Sequence, residues 1–273
     1  VCGRYSNALE FSHIRLVFEA RGSTSLQFEP RLNIAPSFRA GHEVPIVIAQ
    51  PRAAREVHLA RFWFVPEHWR KPLEALPPTF NARAETVFEK PLFRGASSSG
   101  RCLVPATGWR EFRDKQPYHF VPTTPGFLAA PNAFAFAAIS NEHLAADGSS
   151  FRSFAILTRE PTAEAALIHE RMPLLVPPHL YQEWLSSTSG EEVLAEAMAA
   201  ADGLELSYFP SDPSANSPRY EGPLAVSPRP HAELIAAPKA KPDVQSPQLA
   251  LFAADAAQGS AAPEDSRRTR RKS

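Results

Sequence analysis

AFAFAAIS, residues 133–140, sets two phenylalanines among small alanines and lies between Asn132 and Asn141. A run this short, rich in aromatic and β-branched side chains and closed off by turn-forming residues, reads as a strand. FRSFAILT (151–158), VPIVIA (44–49) and HLARFWFV (58–65) share the pattern. Helical signals are fewer. SNALEFSHIRLVFEA near the start, PPHLYQEWLSS (177–187) and EEVLAEAMAAAD (191–202) carry them, the last rich in strong helix formers and followed by Gly203. Strands and helices do not alternate regularly. The expected class is therefore α+β, with a barrel-like, mostly antiparallel β core and a few peripheral helices, rather than a doubly wound sheet.

The chain has 273 residues, enough for one large core, or one core and a tail. Its 28 prolines are about twice the usual share and point to many loops. The start is interrupted by Arg4, Glu10, His13 and Arg15, unlike a signal peptide, and no apolar run reaches the ~18 residues of a membrane span. Two cysteines, Cys2 and Cys102, are too few for a disulfide framework, so a cytoplasmic protein is expected. Formal net charge is zero, but Arg267, Arg268, Arg270, Arg271 and Lys272 crowd the end. Setting those five positive charges aside leaves the rest at −5. Such a body is a poor non-specific polyanion binder, and contact with nucleic acid would need a local basic groove. From about Ala236 the composition turns to Ala, Pro, Lys, Asp, Gln and Ser, so we expect a folded domain over 2–235 and a tail over 236–273.

Four short blocks place reactive side chains in apolar, turn-rich surroundings: CGRY (2–5), FNARAET (80–86), RCLVPATGWREF (101–112) and IHERMP (168–173). None can meet another on one helix, so a shared site must be assembled by the fold. Singly each has an ordinary explanation. Asn81 in a loop satisfies backbone groups, Glu111 after Trp109 is a solvated strand residue, and His169 is a structural histidine.

Together they resemble a known family. CGRY, RLNIAP (31–36), NARAET, LVPATGWREF and IHERMP follow, in this order, the signature blocks of the SOS response-associated peptidase (SRAP) family, over Cys2 to about Pro223. The resemblance implies a barrel-like core, a basic groove for single-stranded DNA, and an enzyme that captures abasic sites covalently. It implies Cys2 as nucleophile, with Asn81, Glu111 and His169 as the other catalytic residues. Arg4, Arg83 and Arg171 match phosphate-contacting arginines, and Trp69 matches the aromatic near the strand break. Two departures stand out. Phe64 occupies a place where the family shows Gly, which bears on Trp63, and the run FPSDPSANSPRYEGP (209–223) alters the usual basic segment that would supply Asn216 and Arg219.

The residue types suit that chemistry. An abasic site is partly a ring-opened aldehyde, and an N-terminal cysteine carries an amine and a thiol that can close on it as a thiazolidine. The amine must be neutral, and an α-amine titrates only slightly above neutrality. Glu111 could shuttle protons during dehydration, His169 could exchange one at the sugar, and Asn81 could orient the amine or a hydroxyl. All this requires Cys2 to be the first residue. We expect Val1 to be a GTG start codon read literally, the initiator being trimmed, or to be removed by attack of Cys2 on its own preceding peptide.

QLALF in the tail resembles the peptide that docks bacterial replication proteins on the sliding clamp, with Leu249, Leu251 and Phe252 filling an apolar groove and Gln248 bonding at its edge. Five-residue patterns also arise by chance in alanine-rich tails. The other readings are a cysteine peptidase using Cys2, His169 and Glu111, and a non-catalytic single-strand or clamp-binding adaptor. Cys102 reads as a buried, inert thiol. No spaced Cys/His set or glycine-rich phosphate loop is present, so neither metal nor nucleotide cofactor is expected, and a monomer is.

Overall fold

Five strands close on themselves at the centre of this computed structural model, which describes residues 2–22, 26–50, 54–145, 148–186, 188 and 190–229. In chain order the strands are Tyr5–Asn7 (β1), Ala20–Arg21 (β2), Arg31–Ile34 (β3), Val44–Ala49 (β4), Arg55–Phe62 (β5), Asn81–Arg83 (β6) and Arg101–Ala106 (β7). Gly108–Arg113 (β8), Gln116–Pro122 (β9), Phe134–Leu144 (β10), Ser150–Arg159 (β11), Met172–Pro173 (β12), Leu175–Val176 (β13) and Leu206–Pro210 (β14) follow. The helices are Phe11–Val17 (α1), Arg94–Ser99 (α2), Ala163–Ala166 (α3), Tyr181–Leu185 (α4) and Gly190–Ala200 (α5).

Strands β5, β4, β7, β10 and β11 pair antiparallel in turn, and β11 returns to β5 in parallel, Ser153 opposite Arg61 and Phe154 opposite Phe62. That last pairing closes the barrel. AFAFAAIS lies on its central strand, where Phe134 through Ser140 are buried on both faces. This explains alanine between the rings: both sides of the strand are packed, and small residues let its neighbours approach. A second sheet, in the order β14-β9-β8-β1-β3, packs against this barrel through Tyr5, whose ring lies edge-on to Phe62 (5.6 Å) and Phe136 (5.8 Å). Outside, α4 covers β7, and the buried Trp184 donates to the Cys102 carbonyl at 2.8 Å.

The α+β class and barrel-like core hold, and VPIVIA matches β4 residue for residue. Two boundaries differ. The first helix spans only Phe11–Val17, because Tyr5–Asn7 is taken into a ladder between β3 and β8. HLARFWFV stops being strand after Phe62, where Trp63 N–H turns back to the Arg61 carbonyl. Phe64 is core, 5.4 Å from the Phe93 ring, so its bulk is accommodated. Among the described residues no helix is long and apolar enough to cross a membrane. The tail, with Gln248, Leu249, Leu251 and Phe252 and the basic terminus, lies outside the described residues.

Candidate active site and nucleic-acid interface

β8 runs antiparallel beside β1, Tyr5 opposite Trp109, and the Arg110 N–H bonds the Arg4 carbonyl at 2.9 Å. This ladder carries Glu111 alongside the residues that precede β1. The Cys2 backbone nitrogen donates to Glu111 Oε1, and both residues are buried, 0% and 3% exposed. Glu111 is therefore no solvated strand residue. Burial raises its carboxyl to about 7, with the positive amino terminus and the Cys2 N–H pulling back. The same burial, with the Glu111 charge second, pushes the Cys2 thiol well above its ordinary value, so it is held as a thiol at neutral pH. Cys2 also has a left-handed backbone, φ 33°, a region that a side chain disfavours.

His169 sits between α3 and β12. Its Nδ1 accepts the Arg171 N–H at 3.0 Å, which leaves the ring proton on Nε2. Burial lowers its pKa first, the positive amino terminus second, so the ring is mostly neutral near pH 7. Asn81 opens β6, which pairs in parallel with β11, and its Nδ2 lies 3.4 Å from the Ile156 carbonyl. Phe80, just before it, would be 3.9 Å from a Cβ on Gly3, which links this strand to the start of the chain.

The basic residues fall in different situations. Arg83 is exposed at the end of β6. Arg4 is half-buried, and its Nη1 donates to Asn33 Oδ1 at 3.3 Å. Arg171 is instead gripped by Glu85 through two 2.8 Å bonds, so its guanidinium is occupied rather than open to a phosphate. Trp69 lines one cleft with Arg70, Lys71, Leu73, His143 and Phe151, its Nε1 on the Pro72 carbonyl at 3.4 Å. Arg219 lines another, with Arg31, Arg39, His42, Phe38 and Trp63. Asn216 is apart from Arg219 and donates to the Lys115 carbonyl at 3.2 Å.

Asn33, Arg110 and His119 carry structure to which the sequence reading gave no role. Asn33 is fully buried. Its oxygen takes bonds from Arg4 and Arg110, while its Nδ2 donates to the carbonyls of Ser217 (2.8 Å) and Tyr220 (2.7 Å). It thereby ties the strand that follows Cys2 to the segment bearing Arg219. Arg110 is 1% exposed, and burial and then Arg4 lower its pKa to about 10, so it stays a cation at neutral pH. That cation, after burial, depresses His119 to about 4. A polar asparagine inside the strand-like RLNI was the available signal. Cys102 is buried in β7, as read, and burial raises its thiol to about 12. Among the described residues no group of three or more His, Cys, Asp or Glu could hold a metal.

The model of the SOS response associated peptidase (SRAP) family matches residues 1–218. The abasic site processing protein YoqW of Bacillus subtilis is 27% identical over 228 residues, 83% of this chain and 99% of its own. The abasic site processing protein YedK of Escherichia coli is 24% identical over 244 residues, 84% of this chain and 100% of its own. A crystal structure of a protein from Bacteroides thetaiotaomicron superposes with a TM-score of 0.68 at 20% identity, covering 84% of this chain and 100% of that one. This last likeness concerns the fold.

Proposed function

This chain belongs to the SOS response associated peptidase family, and on that premise we propose that it processes abasic sites in single-stranded DNA by trapping the sugar aldehyde on Cys2. The reaction requires Cys2 to be the first residue of the working protein. Trimming, or attack of Cys2 on the peptide before it, would achieve that. The nitrogen bonded to Glu111 is then an α-amine, which titrates near 8 when unperturbed. Its lone pair adds to the aldehyde carbon, giving a carbinolamine. Glu111, whose carboxyl burial raises towards neutrality, delivers its proton to the departing hydroxyl, and one water leaves as the imine forms. The thiol sulfur adds to the imine carbon, its proton passes through the carboxylate to the nitrogen, and a thiazolidine closes. Overall one C–N and one C–S bond form and one water is lost.

One observation carries this reading: a buried carboxyl tuned to about 7 lies in hydrogen-bond contact with the nitrogen that becomes the amine. His169, with its proton on Nε2, serves the sugar oxygen, and Asn81 orients a sugar hydroxyl. Arg4 and Arg83 take phosphates beside the lesion, Trp69 stacks an unpaired base, and Arg219 extends the basic track. The relatives named as abasic site processing proteins support the substrate. A peptidase would want a thiolate, whereas burial drives Cys2 the other way. Incubation of the protein, beginning at Cys2, with a single-stranded oligonucleotide bearing one abasic site tests the reading. A heat-stable conjugate lost in Cys2→Ala supports it; peptide hydrolysis without a conjugate, or salt-reversible binding alone, contradicts it.

A further inference from the structure

We propose that Glu85 is a positioning residue: its carboxylate grips Arg171, and Arg171 in turn sets the orientation and tautomer of His169. This rests on the reading above that His169 exchanges a proton with the trapped sugar. Glu85 lies in the single 3₁₀ turn Ala84–Thr86, directly after β6 and three residues beyond Ala82. Its two oxygens accept from Arg171 Nη1 and Nη2, each at 2.8 Å, the fork-to-fork geometry that fixes a guanidinium plane. Nη2 is shared with the Thr158 carbonyl on β11 at 2.6 Å. Thr158 stands opposite Arg83 on one side and Pro173 on the other, so the pair ties β6, β11 and the 169–171 turn together.

The Arg171 side chain is 13% exposed and that of Glu85 is 36%, so the arginine is shielded while its carboxylate partner reaches the surface. Burial tends to raise the Glu85 carboxyl, but the hydrogen bonds and charge of Arg171 outweigh it and hold it below its ordinary value, ionised at neutral pH. An arginine held at its head by Glu85 and Thr158 steadies the turn that carries its backbone. Its N–H therefore keeps pointing at His169 Nδ1. Without that donor, Nδ1 and Nε2 compete for the proton. The charged groups acting on His169 are the amino terminus and Glu170 beside it, Arg171 acts through its backbone N–H, and Arg113 bonds the Leu167 carbonyl nearby. Glutamine at 85 would offer one acceptor oxygen in place of two and no charge, and the fork would open.

The test compares full-length wild type, Glu85→Gln and Glu85→Asp, with histidine ring nitrogens labelled and the His169 signal assigned by its loss in His169→Gln. In wild type without DNA we expect a single Nε2–H tautomer that titrates below 6.5. In Glu85→Gln we expect a mixture of tautomers. Conjugation to an abasic oligonucleotide at pH 7 should fall about tenfold, as when an orienting partner of a reactive histidine is lost. Glu85→Asp should restore both. A Glu85→Gln tautomer pattern identical to wild type, or a Glu85→Asp variant as impaired as Glu85→Gln, overturns the proposal. Failure of wild type itself to form a conjugate would instead sink the reading of the reaction, and the ring nitrogens would still decide the role of Glu85.

Discussion

The Cys2 backbone nitrogen and the Glu111 carboxylate are hydrogen-bonded inside the protein, 109 residues apart in sequence. A carboxyl so placed makes stability depend on pH. Its folded value, about 7, lies above the ordinary 4.5, so the stabilisation is complete below about 4.5 and is lost as pH rises through 7. The difference amounts to about 3 kcal/mol at 1.36 kcal/mol per pH unit. Chemical denaturation of the chain that retains residue 1 should show this loss between pH 4.5 and 8, and Glu111→Gln should abolish it. Parallel pH profiles for the two proteins would contradict the assignment.

Asn33→Ala should destabilise the protein by about 1–3 kcal/mol, because two partly buried carbonyls and two guanidinium groups lose a partner together. Urea unfolding measures it. A loss under 0.5 kcal/mol would mean that water replaces the asparagine without cost.

Gly108 admits no side chain. A Cβ there would overlap His119 Nε2 and lie 3.1 Å from the Phe120 carbonyl. Gly108→Ala should therefore cost about 1–3 kcal/mol through forced displacement of β9. Calorimetry checks it, and an unchanged melting temperature would show that His119 moves aside freely.

How far the sequence reading reached follows from which partners are local. VPIVIA and FRSFAILT declare themselves as strands because both carry closely spaced β-formers, and they form β4 and most of β11. The opening residues deceive because helix formers sit nearby, while what makes Tyr5–Asn7 a strand is pairing with Ile34 and Trp109, far along the chain. Glu111 is similar. Beside Trp109 it looks like a solvent-facing strand residue, and only the return of the chain's beginning against β8 buries it. Asn33 was hidden for the same reason, its partners lying 29 to 187 residues away. Arg171 was legible as a reactive-block arginine, but its pairing with Glu85 was not, since the two blocks meet only across β11.

Trp69→Ala should weaken binding to single-stranded DNA by about 1–3 kcal/mol, roughly five- to 150-fold in Kd, if its ring stacks on a base from the cleft it shares with Arg70, Lys71 and Phe151. Fluorescence anisotropy with an undamaged oligonucleotide measures this. Equal affinity for variant and wild type would place the DNA path elsewhere.

Intact-mass spectrometry of the reaction with an abasic oligonucleotide tests the central claim most directly. The account predicts one species whose mass equals the protein starting at Cys2 plus the oligonucleotide minus one water, stable to heat and absent for Cys2→Ala. Unmodified protein alone, or a conjugate that still carries residue 1, would contradict it.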